Sequence, residues 1–161
     1  MMIRPTTRSR KTSESGASAV EFALVVPFLV LILGGILDFG FIFSQQIALN
    51  NAARDAARAG VVSNLAGAGL TCAQISTKLT NSLTSSAVGL SSAAVNVTVS
   101  SSATDPSASC TANTANKPCT KSSAGDQLTV VATFNSSPPF PLPYLNGIQV
   151  RGQGIFQCEY T

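Results

Sequence analysis

Residues 16–43 have the sequence GASAVEFALVVPFLVLILGGILDFGFIF, and this apolar stretch decides how the chain is organised. Only Glu21 and Asp38 carry a charge within it. A bilayer core of about 30 Å is crossed by about 20 helical residues with a rise of ~1.5 Å each. Residues 17–43 are therefore predicted to form one transmembrane helix, with the two carboxylates near its ends or meeting partners.

The residues before this stretch are polar and basic. Four of the ten basic residues of the chain precede position 12, and none follows the apolar stretch until Arg54. The positive-inside rule then predicts a cytoplasmic N-terminus and a head beyond the membrane. Loss of residues 1–16 would remove four basic residues and one acidic residue, leaving six of each and no net charge. Nucleic acid is therefore not expected as a partner.

The start of the chain does not fit a conventional secretory signal peptide. Such a peptide has a short apolar core followed by small residues at a cleavage site, whereas here Phe39, Phe41 and Phe43 follow a longer apolar region. Gly16 precedes the apolar run, and Glu21 lies five residues after Gly16. This order is similar to a type IV prepilin peptidase site, with cleavage between Gly16 and Ala17 on the cytoplasmic side.

Three segments together resemble one protein family. They are residues 16–31 (GASAVEFALVVPFLVL), 35–40 (GILDFG) and 52–60 (AARDAARAG). In this order and spacing they resemble the TadE-like pseudopilins of the Tad, or Flp, branch of type IV pilus systems. The resemblance covers about residues 16–60 and is only general beyond them.

The resemblance implies a non-catalytic minor pseudopilin needed for assembly of a Tad/Flp pilus used in adhesion or surface attachment. Residues 1–16 would be a leader that prepilin peptidase removes, and the mature chain would stay in the lipid of the inner membrane. Glu21 would meet the N-terminal amine of a neighbouring subunit. The implied partners are the major Flp-type pilin, other minor pseudopilins and the inner-membrane assembly platform.

Two alternatives remain open at this stage. The chain could be an unprocessed, signal-anchored periplasmic or surface adhesin or assembly adaptor. It could also be an anchored hydrolase, although no motif favours one. The chain has no histidine, which removes the usual proton shuttle and the commonest metal ligand, and no cofactor or metal site is predicted.

Residues 44–62 are alanine-rich and are predicted to continue the helix beyond the membrane. From residue 40 to residue 60, small residues recur at every fourth position, a spacing that lets helix backbones approach closely. An ordinary alanine-rich helix explains the same pattern equally well. The members of this small-residue row are Gly40, Ser44, Ala48, Ala52, Ala56 and Gly60.

Residues 63–161 are predicted to form a Ser/Thr-rich α+β head. A short helix carries Cys72, Ile75, Leu79 and Leu83 on one face, and alternating patterns predict strands at 95–99, 128–134 and 148–160. In the last strand Gly152 and Gly154 fall on the apolar face, where a helix backbone could come close. The predicted fold class is α+β: a pilin-like long N-terminal helix with a head of one short helix and a three-stranded antiparallel sheet.

The four cysteines are predicted to form disulfides, since the head would be exported. Three pairings are possible. We favour Cys72–Cys158, because both fall on inward faces, and Cys110–Cys119, because both lie in one polar loop. A four-cysteine zinc site would have C-x-x-C spacings, which are absent.

Overall fold

The computed structural model describes residues 14–62, 69–85, 90, 95–103, 105, 108–111, 115–137, 139–140 and 147–159. Most of the predicted leader and most of the proline-rich link between the last two strands lie outside these residues. The chain divides between Ile36 and Leu37 into two compact units, which are described separately.

The first unit consists, in its described part, of helix α1, which extends from Glu14 to Val61 and so continues into the second unit. The helix runs through Pro27 without ending there. Proline lacks the N–H that would bond the carbonyl one turn earlier, yet membrane helices tolerate it. The apolar and alanine-rich stretches thus lie in a single helix.

The second unit contains the rest of α1, helix α2 (Cys72–Ser85) and three strands: β1 (Val95–Ser101), β2 (Gln127–Ser136) and β3 (Ile148–Gln157). The strands form an antiparallel sheet in the order β1-β2-β3. These elements confirm the predicted fold class.

Helix α2 begins where its sequence allows reciprocal capping. The backbone N–H of Gln74 donates to Thr71 Oγ1 at 3.2 Å, and the backbone N–H of Thr71 donates to Gln74 Oε1 at 3.0 Å. This is a capping box, which satisfies N–H groups that the first helical turn leaves unbonded. The helix then buries the one face that its spacing predicts, Cys72, Ile75, Leu79 and Leu83.

The core of the second unit lies where α1 and α2 cover one face of the sheet. Small side chains of α1 at 52–57 are buried there together with the apolar face of α2. Every second residue of β2 from Leu128 to Phe134 points into this core. The alternation predicted for β2 and β3 is therefore what positions the sheet against the helices.

The predicted disulfide pairing is wrong. The structure joins Cys72 to Cys110 and Cys119 to Cys158, with Cα–Cα distances of 5.7 and 5.5 Å. The polar loop after β1 does not close on itself, because its backbone bonds to elements on either side. The Cys72 N–H donates to the Asn116 carbonyl at 2.9 Å, and the Cys158 N–H donates to the Asp126 carbonyl at 2.9 Å. The loop thus reaches the start of α2 at Asn116, in its middle part, and the end of β3 at Asp126, its last residue.

Candidate functional site

The most exposed apolar surface of the described chain is the N-terminal part of α1. Its most hydrophobic 18-residue window has a mean hydropathy of 2.6, and only 6% of that window is buried. Exposed apolar surface costs about 25 cal/mol per Å² in water, so a helix of this kind needs lipid or other helices around it. By length and composition the helix can cross a membrane, which fits a single-pass anchor.

The large apolar side chains of this surface point in all directions around the helix. A helix that is apolar all round is a membrane span or is enclosed by other helices. Those exposed by half or more are Val20, Phe22, Leu24, Val25, Phe28, Leu29, Leu31, Ile32, Leu33, Ile36, Leu37, Phe39, Phe43 and Ile47.

The residues of the predicted cleavage site lie on the exposed surface of α1. Gly16 and Ala17 are both exposed, and a Cβ added at Gly16 would meet no atom within 4 Å. Glu21 is exposed too, and neither ion pair found in the described part of the chain involves it. Five helical residues turn ~500°, so Glu21 points about 140° away from Gly16 around the helix.

Asp38 is the one fully buried charged side chain among the described residues. Its Oδ1 accepts a hydrogen bond from the backbone N–H of Phe140 at 2.9 Å, whereas Oδ2 is buried and has no hydrogen-bond partner within the described ranges. Burial of a carboxylate without a counter-charge is unfavourable. Asp38 therefore acts as an acceptor that holds the backbone of Phe140 against α1. This contact was not predicted, since its donor is 102 positions away in the sequence.

Strand β3 lies directly on the backbone of α1 at its two glycines. A Cβ added at Gly152 would lie 2.4 Å from the carbonyl carbon of Leu49, and one added at Gly154 would lie 2.4 Å from the carbonyl oxygen of Ala53. We call this contact the glycine seam: Gly152 and Gly154 against residues 49–54. The close approach predicted for these glycines is therefore present.

The small-residue row on α1 is not the part of the helix that the glycines touch. The backbone contacts fall at Leu49 and Ala53, one position along from Ala48 and Ala52. Along the row, burial rises toward the end of the helix. Gly40 is exposed, Ser44 and Ala48 are half-buried, and Ala52, Ala56 and Gly60 are buried. A Cβ at Gly60 would meet the side chains of Leu128 and Ile75 at 2.5 and 2.6 Å.

Polar side chains of α1 bond to the free edge of β3. The Nε2 group of Gln46 donates to the Arg151 carbonyl at 2.5 Å, and the Gln153 N–H donates to Asn50 Oδ1 at 3.2 Å. Gln46 and Asn50 lie four residues apart, so they share one side of the helix. Sequence reasoning missed both, although amides at a spacing of four after an apolar span are a usable signal.

The cysteines form the two disulfides described above, and no group of metal-binding side chains occurs among the residues that the structure describes. Two ion pairs occur among the residues that the structure describes. The Nζ atom of Lys78 lies 3.4 Å from Asp55 Oδ2, and the Nζ atom of Lys121 lies 3.4 Å from Asp105 Oδ2. The first pair joins α1 to α2, the second lies within the loop between β1 and β2, and the two pairs do not form a reactive cluster.

Comparison with known proteins identifies one segment. A family model described as TadE-like protein matches residues 16–58. No curated protein and no solved structure matches the chain. The matched segment covers the exposed apolar helix, Asp38 and the helical side of the glycine seam, and the match suggests involvement in Tad pilus systems. Over residues 16–58 this chain is similar to TadE-like proteins, which supports the resemblance drawn from its sequence.

Proposed function

We propose that this protein is a minor pseudopilin that takes part in the assembly of a Tad/Flp-type pilus used in surface attachment. The observation that carries the proposal is the match of residues 16–58 to the TadE-like family model. These residues lie in α1, which exposes apolar side chains along about half its length. Residues 17–43 would cross the inner membrane with the N-terminus in the cytoplasm. Residues 44–62 would continue the helix into the head of residues 63–161, which would face the periplasm.

Processing is the first step of this function. Prepilin peptidase would cleave between Gly16 and Ala17 and remove the basic leader. Replacement of Gly16 with Leu should block cleavage, since the enzyme would have to fit a bulky side chain. The uncleaved protein would be about 1.8 kDa heavier. Because nothing lies within 4 Å of a Cβ at Gly16, the new side chain does not disturb the fold of the described residues.

Intact-mass measurement of the membrane-extracted protein tests this step. A mature wild-type chain that starts at Ala17 supports the proposal, and a chain that starts at Met1 or Met2 supports the alternative, an unprocessed anchored adhesin or adaptor. Ala23→Leu is a matched control, because it adds the same side chain at an exposed position of the same helix. If Gly16→Leu is cleaved as fully as Ala23→Leu, the cleavage site is wrong.

Assembly would then depend on Glu21. A charged side chain at the centre of a membrane helix costs about 2.5–3.5 kcal/mol on insertion scales, so it usually has a function. We propose that Glu21 meets the free N-terminal amine of a neighbouring pilin or pseudopilin. Glu21→Gln should leave insertion and cleavage intact and reduce surface pili, counted by electron microscopy. The control is Glu159→Gln, which neutralises an exposed carboxylate of the head. Full piliation of the Glu21 variant would disprove the pairing.

The other partners follow from the same assignment. The apolar surface of α1 would contact membrane lipid before assembly. It would contact the major Flp-type pilin, other minor pseudopilins and the inner-membrane assembly platform during assembly. No catalytic role is proposed.

A further inference from the structure

The edge of β3 that faces away from β2 has backbone groups that bond to α1 at Arg151 and Gln153 and, within the described ranges, unbonded backbone groups at Ile155. In an antiparallel ladder, the N–H and C=O of each residue point to the same side, and successive residues alternate. Arg151 and Gln153 bond to α1 through this edge, so their backbone groups point away from β2. By the same alternation, the N–H and C=O of Ile155 also point outward. No side chain of the described residues bonds to the backbone of Ile155.

Helix α1 carries a row of side chains that follows this edge. Gln46, Asn50 and Arg54 are spaced by four residues and lie beside Arg151, Gln153 and Ile155 in turn. The first two are amides that bond to the strand. Arg54 is exposed and forms neither of the two ion pairs found in the described chain. Side chains of α1 therefore bond to the edge of β3 from Gln46 and Asn50 but not from Arg54.

A surface cavity of about 510 Å³ lies at this point. It is lined by Arg54, Gln153, Ile155 and Phe156. The side chain of Ile155 is 50% exposed, which is high for a large apolar residue in a strand. The cavity thus combines an unpaired backbone donor and acceptor, an apolar side chain and a guanidinium group.

We propose that this cavity binds an extended segment of a partner protein that carries a carboxylate. An extended backbone can pair with the open N–H and C=O of Ile155 by strand addition. The guanidinium of Arg54 presents parallel donors that match the two oxygens of a carboxylate. The segment would stop at Gln153, because Asn50 and Gln46 already occupy the edge beyond it. This surface lies on the head and is independent of cleavage at Gly16 and of Glu21.

Site-specific photocrosslinking in cells that make the protein tests the proposal. A benzoylphenylalanine at Gln153, whose exposed side chain lines the cavity, would capture the bound segment in the full-length protein. The same crosslinker at Thr84, an exposed position of α2, gives the background. Mass spectrometry of the adduct then identifies the captured peptide. We expect a peptide from another protein with Asp or Glu within a few residues of the crosslink.

Four variants separate the parts of the site. Arg54→Glu should reduce the adduct at least about tenfold, which corresponds to ~1.4 kcal/mol of binding free energy. Arg58→Glu makes the same charge change one turn further along α1, outside the cavity lining, and should leave the yield within about twofold. Ile155→Pro removes an N–H that faces away from β2, so the ladder remains and the adduct should be lost, whereas Ile155→Val should retain it.

Several results would overturn the proposal. These are no adduct above the Thr84 background, an adduct with lipid or with a second copy of this chain, and a captured peptide without a carboxylate. Equal yields from Arg54→Glu and Arg58→Glu would also do so. Protease resistance of each variant shows that the head is folded, so a lost adduct reports on the site itself.

Discussion

Adding one methyl group at the glycine seam should separate β3 from α1. In Gly152→Ala the new Cβ would lie 2.4 Å from the Leu49 carbonyl carbon and 2.7 Å from the Asn50 nitrogen. Carbon atoms in contact prefer about 3.5–4.0 Å, so the strand and the helix must move apart by about 1 Å. Both contacting groups are backbone, and neither can rotate away as a side chain would.

The expected magnitude follows from the two opposing effects. Overpacking of this kind costs about 1–3 kcal/mol. Replacement of a strand glycine with alanine returns about 0.5–1 kcal/mol through the unfolded chain. Because both contacts are with backbone, we expect a cost of about 2–3 kcal/mol, and Gly152→Ala and Gly154→Ala should each lower the free energy of unfolding by about 1–2.5 kcal/mol. Urea unfolding of the full-length protein in detergent, followed by pulse proteolysis, measures this change.

Two further substitutions make the test specific. Gln153→Ala changes an exposed side chain between the two glycines and should be nearly neutral. Gly60→Ala should be milder than either seam variant, because its new Cβ meets side-chain methyl groups of Leu128 and Ile75, which can move. If Gly152→Ala and Gly154→Ala are as stable as Gln153→Ala, the strand does not rest on the helix backbone as described.

Other contacts give smaller or differently directed effects. Asp38→Ala should lower the free energy of unfolding by about 1–3 kcal/mol, because it leaves the Phe140 N–H without its acceptor. Asp38→Asn keeps an acceptor oxygen and should retain most of the stability. Equal losses for the two variants in urea unfolding would refute the hydrogen bond. Loss of either disulfide should lower the free energy of unfolding by a similar amount, about 4 kcal/mol in the chain-entropy model, since the bridges span 38 and 39 positions. Peptide mapping without reduction should find both linkages. A large difference in stability between the two single-bridge variants would contradict this prediction. Lys78→Gln should change stability by less than about 1 kcal/mol, because the ion pair with Asp55 is exposed; a larger loss would indicate a role beyond that pair.

The sequence predicted what periodic patterns encode. The continuous apolar run predicted α1, spacing of three and four predicted the buried face of α2, and alternation predicted the strands and the close approach at Gly152 and Gly154. Only the end of the last strand was placed too far along, since β3 ends at Gln157.

The parts that failed depend on the path of irregular segments. The disulfide partners are set by the loop after β1, which reaches α2 and β3 through the Asn116 and Asp126 carbonyls. Such backbone bonds leave no periodic pattern in the sequence. The same holds for Asp38, whose partner is a single N–H far along the chain, and for Gln46, whose partner is a carbonyl of β3.

The two disulfides join cysteines that are consecutive in the chain, the first to the second and the third to the fourth. In a head that crosses the membrane from its N-terminal side, Cys110 emerges when Cys72 is the only other thiol outside. A simple thiol oxidase that acts on each cysteine as it appears therefore produces the native bridges in order. The nested alternative would have required Cys72 to wait for Cys158 while a closer thiol was available. Maturation should accordingly be insensitive to deletion of a disulfide isomerase and sensitive to deletion of the oxidase, as non-reducing gels of the exported protein would show.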